Sequence, residues 1–144
     1  LAVYIRQQDF THVIKLLQNL PYEQRLFGHY LLLLANYRRV QDQKGLYETL
    51  RHYNQLNKTD LFGWKIGDYY KGDLAERELF ALANREGKDK PSRLCQFYFF
   101  TGLDFLVKGN VAKAKEYLEN SLRQSKGEEW VRLLARAELR AMNK

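Results

Sequence analysis

Apolar side chains return every three or four positions along most of this chain. Val13, Leu17 and Leu20 fall on one face of a helix with 3.6 residues per turn. So do Leu46, Leu50 and Tyr53, and again Val111, Ala114, Leu118 and Leu122. More uniformly apolar stretches alternate with them, Tyr30-Leu33-Leu34-Tyr37 and then Tyr98 to Val107. Leu, Ala, Lys, Glu and Gln, all good helix formers, dominate these segments. Breakers separate them: Pro21, then Asn57-Lys58-Thr59-Asp60, then Gly87 through Pro91, then Gly127. The pattern predicts nine helices, near 2–8, 10–20, 22–40, 43–56, 60–70, 73–86, 92–108, 111–125 and 128–142.

The polar breaks themselves recur. Gln8-Asp9, Gln41-Asp42, Gly72-Asp73 and Gly109-Asn110 stand 33, 31 and 37 residues apart. The last two share wording, Lys71-Gly72-Asp73-Leu74-Ala75 against Lys108-Gly109-Asn110-Val111-Ala112. Glycine ends a helix by taking the left-handed conformation, and Asp or Asn starts the next by accepting a backbone N–H. Asp73 with Glu76 three residues on resembles a capping box. Breaks this short force neighbouring helices into antiparallel hairpins. Four hairpins and a leftover C-terminal helix make one all-α domain over 1–144.

Helix–turn–helix units with a period of about 34 residues resemble the tetratricopeptide repeat. Tyr98, Thr101-Gly102, Phe105, Gly109, Ala114 and Leu118 follow that family's aromatic, Leu-Gly, Tyr, Gly, Ala and Phe series. Tyr30, Leu33-Leu34, Tyr37, Leu46, Leu50 and Tyr53 do so in the second unit, and Trp64 and Gly67 in the third. The resemblance implies a right-handed α-solenoid of about four antiparallel hairpins plus a C-terminal capping helix. It also implies a non-enzymatic scaffold or adaptor, similar to bacterial ones, that holds a protein or peptide on its concave face. Carried over, the concave positions are Leu31, Ala35, Arg38 and Arg39, then Trp64, Asp68 and Lys71, then Gln96, Phe99, Leu103, Leu106 and Val107. Some members grip a terminal carboxylate with Lys, Asn and Arg there; Gln96 and Phe99 depart from that pattern. The mixture instead suits an apolar segment with acidic flanks.

In the last helix Trp130, Leu133, Leu134, Ala137 and Ala141 form one stripe with Val131, Ala135 and Leu139 beside it, and Arg132, Arg136 and Arg140 line what remains, a polar cap or a seat for an acidic partner. A solenoid end needs such a polar outer face. The run Phe97-Tyr98-Phe99-Phe100 cannot turn every ring to one core, since successive residues are about 100° apart. Either neighbouring helices wrap it, or some rings meet a partner or a second copy of the chain.

Net charge changes this picture little. The 144 residues carry +7, spread as +3 over 1–57, +1 over 58–94 and +3 over 95–144. Nucleic acid remains a rival partner, but its binders usually concentrate basic residues in a denser stripe. Nothing approaches a membrane span, the longest apolar run being Tyr30 to Ala35. His12, His29 and His52 share no metal-ligand spacing, and Cys95 lies in apolar helical surroundings. There is no phosphate-binding glycine loop and no nucleophile elbow, so neither cofactor nor enzyme activity is expected. The start at Leu1-Ala2-Val3-Tyr4-Ile5 reads as mid-helix, which suggests a piece of a longer chain. The other rival is therefore an accessory domain of a larger enzyme. One cysteine suits cytoplasm or periplasm alike, with a lipid anchor upstream as one arrangement.

Overall fold

In the structure, a computed structural model, residues 4–5, 7–20, 27–55, 61–124 and 129–143 are described. Among them lie eight α-helices and no strand: α1 (Phe10–Gln18), α2 (Phe27–Arg39), α3 (Gln43–Tyr53), α4 (Leu61–Lys71), α5 (Glu76–Ala83), α6 (Lys90–Val107), α7 (Val111–Leu122) and α8 (Glu129–Met142). Most of the first expected helix lies outside the described residues, as do the breaks at Pro21, 57–60 and Gly127.

The four recurring breaks become four copies of one corner. Gln8, Gln41, Gly72 and Gly109 all have positive φ, at 57°, 58°, 88° and 80°. At each, that residue donates to the carbonyl three back, and the next residue donates to the carbonyl five back: Gln41 to Arg38 and Asp42 to Tyr37, Gly109 to Leu106 and Asn110 to Phe105. Gln8-Asp9 and Gly72-Asp73 do the same with Ile5 and Tyr4, and with Tyr69 and Asp68. This Schellman arrangement satisfies carbonyls that a helix end leaves orphaned. Asp9, Asp42 and Asn110 then cap the next helix, accepting from the amides of His12, Gly45 and Lys113. Asp73 does not: α5 starts later, with Ala75 at its N-cap and no side-chain cap bond, so the expected Asp73–Glu76 box is absent. Asp73 instead lies 3.5 Å from Lys71, and Glu76 accepts a bond from Tyr117.

Each helix packs on the next, and the even-numbered ones also meet one another. α2 touches α4 and α6, α6 touches α4 and α8, and the odd-numbered helices cover them from outside. The inner layer is accordingly apolar all round. Residues 30–37 of α2 are all buried, as are Phe97 and the run from Phe99 to Asp104 in α6. Glycines let outer helices close on inner ones: a Cβ on Gly45 would sit 2.3 Å from Tyr37, one on Gly67 2.4 Å from Tyr53, and one on Gly102 3.3 Å from Leu118. The aromatic run is wrapped on both sides. Phe97 meets Phe80 and Tyr117, and Phe100 meets Tyr70 and Trp130.

α8 buries Leu134, Ala137 and Ala141 of the stripe expected for it, with Val131 and Ala135 beside them, while Trp130 and Leu133 stand exposed. Glu138 is buried as well and points inward to meet Arg39 of α2.

Candidate functional site

The C-terminal turns of α2, α4 and α6 meet around Asp104, whose side chain is 2% exposed. Removing a carboxylate from water costs several kcal/mol unless donors replace the water. Three do so here. Arg38 Nη1 donates to Oδ1 at 2.7 Å, Tyr69 OH donates to Oδ2 at 2.6 Å, and Lys108 Nζ lies 2.9 Å from Oδ2. Burial, and then the bond to Asp104, push the Tyr69 phenol far above its usual 10. Burial does the same to Tyr70, whose hydroxyl donates to the Phe100 carbonyl at 2.7 Å.

One helical step along α2, Arg39 forks onto Glu138, with Nη1 to Oε1 at 2.5 Å and Nη2 to Oε2 at 2.7 Å. Its guanidinium carbon also lies 3.8 Å from the centre of the Phe10 ring. Both side chains of the pair are almost wholly buried. The two arginines expected on an open inner wall are thus tied to carboxylates of α6 and α8.

Two clefts adjoin these pairs. One, of about 290 Å³, lies among Gln8, Phe10, Arg39, Leu106 and Met142. The other, of about 520 Å³, lies among Tyr37, Leu46, Tyr47, Leu50, Tyr70 and Lys71. Arg38, Gln41 and Val107 line both. Tyr47 is 64% exposed and Val107 39%, so the larger cleft presents apolar surface to solvent.

Of the concave positions expected from sequence, Arg38, Arg39, Lys71, Leu106 and Val107 gather at these clefts. The rest do not join them. Phe99 and Leu103 are buried, as are Leu31 and Ala35, because α2 packs directly on α6; none offers a partner a surface here. Trp64 stacks on Tyr53 at 4.7 Å, Gln96 is half-buried on α6, and Asp68 sits between Lys65 and Lys71. Sequence reading missed Tyr47, Gln41, Asp104 and Glu138. Tyr47 alone carried a signal, a large ring one residue off the Leu46-Leu50-Tyr53 stripe.

Among the described residues no three His, Cys, Asp or Glu side chains are grouped to hold a metal ion. Cys95 is buried, with its Sγ 3.4 Å from Ser121 Oγ. No described helix is long and apolar enough to cross a membrane. No family model, curated protein or solved structure matches the chain.

Proposed function

We propose that this chain is a non-enzymatic protein-binding scaffold, a tetratricopeptide-like stack of helical hairpins that receives an apolar segment of a partner. The observation carrying this reading is the pair of adjoining clefts that share Arg38, Gln41 and Val107. Exposed Tyr47 and Val107 supply area to desolvate, and Arg38 and Arg39, each paired with a buried carboxylate, hold the walls rigid, so little ordering is needed on binding. The four like corners support the repeat reading, since each hairpin turns from its first helix to its second through the same geometry. Binding at the corner clefts replaces the inner wall that the tetratricopeptide resemblance suggests. Lys71, at the rim of the larger cleft, favours an acidic residue flanking the apolar anchor.

Selection of peptides from a random display library on the intact protein tests this. The expected winners carry two or three apolar residues beside an acidic one, and Tyr47→Ser with Val107→Ser weakens them by about tenfold or more. No enrichment, or winners indifferent to both substitutions, contradicts it.

A further inference from the structure

On another face, outside the clefts just described, α5, α6 and α7 enclose a third cleft of about 410 Å³. Its walls are rings. Phe80 lies 5.4 Å from Phe97 and 6.4 Å from Tyr98, and Tyr98 lies edge-on to Tyr117 at 5.4 Å. Its remaining lining includes two carboxylates, Glu76 and Glu116, against one cation, the exposed Arg77. Tyr117 donates its hydroxyl to Glu76 and thereby ties that carboxylate to the aromatic wall.

We propose that this cleft receives an arginine side chain of a partner protein. Ring faces carry negative charge density that attracts a cation, and a planar guanidinium can lie on a ring while forking onto a carboxylate. This chain already holds one of its own arginines in that way and a second near a ring and a carboxylate, without the fork. Arg39 lies between the Phe10 ring and Glu138, and Arg38 stands 5.3 Å from the Tyr70 ring while paired with Asp104. In the third cleft Phe80 is 37% exposed and Glu116 exposed, while Tyr98, Tyr117 and Glu76 are half-buried and Phe97 is buried. The local field has the right sign. After burial, the nearest carboxylates raise the neighbouring phenols, Glu116 that of Tyr98 and Glu76 that of Tyr117. Lys113 shows the same affinity on the neighbouring surface, with its ammonium 5.7 Å from the Tyr117 ring and 4.7 Å from that of Phe105. Because the whole chain carries +7, this attraction acts on contact and does not steer a cation from a distance.

The test is an NMR titration of the intact protein with a blocked Gly-Arg-Gly peptide, using Gly-Gln-Gly as the control, up to roughly 10 mM, where a single contact of this strength registers. The expected result is a shift of the Phe80, Tyr98 and Tyr117 ring signals with the arginine peptide only. Glu116→Gln should weaken binding about fivefold, and Arg77→Ala should strengthen it, by removal of the competing cation. No ring shift, an equal response to the glutamine peptide, or an affinity unchanged in Glu116→Gln would overturn the proposal. The corner clefts share none of these residues, so peptide selection there succeeds or fails independently.

Discussion

Asp104 is the residue on which most of the inner layer turns. Its carboxylate gathers donors from α2, α4 and the residue that closes α6, and no apolar replacement supplies that convergence. Asp104→Ala should lower unfolding free energy by about 3 kcal/mol, the low end for breaking a buried pair, because Lys108 and part of Arg38 can rehydrate. Urea unfolding measures this. The buried phenols give a second check. Folded-state values for Tyr69 and Tyr70 lie above the unfolded value of 10, so their contribution is whole below pH 10 and is lost as pH rises beyond it. Each such group tilts stability by about 1.4 kcal/mol per pH unit there. Tyr70→Phe should make the alkaline decline shallower, with an urea midpoint less dependent on pH above 10. Neither Asp104 nor Glu138 was legible in the sequence as a buried group. A lone carboxylate among apolar residues reads as surface until its donors, 66 and 99 residues away, are known.

Helices and corners were far more legible, because their causes are local. Seven of the expected helices reappear with ends shifted by a few residues, and the 22–40 helix does so from Phe27 onward, the residues before it lying outside the description. The corners were legible since positive φ, capping and a following apolar stripe all sit within a few positions of one another. The exception is instructive. Asp73 shares its wording with Asn110, yet only Asn110 caps a helix, because α5 begins only after Ala75, which leaves the Asp73 carboxylate in a loose exposed pair with Lys71. Asn110→Ala should therefore cost about 1 kcal/mol, and Asp73→Ala only a few tenths, the scale of an exposed pair. Thermal or urea unfolding of the two variants side by side separates them. Equal losses would mean that the shared wording, and not the observed bonds, governs the corner.

At the scale of the whole molecule, periodicity specifies which face of each helix is apolar but not how far successive hairpins rotate. That rotation decides whether the inner helices border an open hollow or meet. Here α2 reaches α6 directly, and Arg39 spans to Glu138 on α8, so Phe99 and Leu103 became core while Tyr47 and Val107 came to border a cleft. The aromatic run had two readings in the sequence, and each holds for part of it: rings from α4, α5, α7 and α8 wrap Phe97 and Phe100, while Tyr98 stays half-buried beside the third cleft. The site followed the same logic. Its charged residues were foreseeable one by one, but the surface they share is made by three helix ends far apart in the chain.

Hydrogen exchange of the intact protein, with and without a display-selected peptide, tests most directly where a partner sits. Slowed exchange is expected only at the end of α2, the first half of α3 and the end of α6 around Val107, with the middle of α6 at Phe99 and Leu103 unchanged. Protection centred on that middle stretch, with no change at Gln41 to Tyr47, would contradict it.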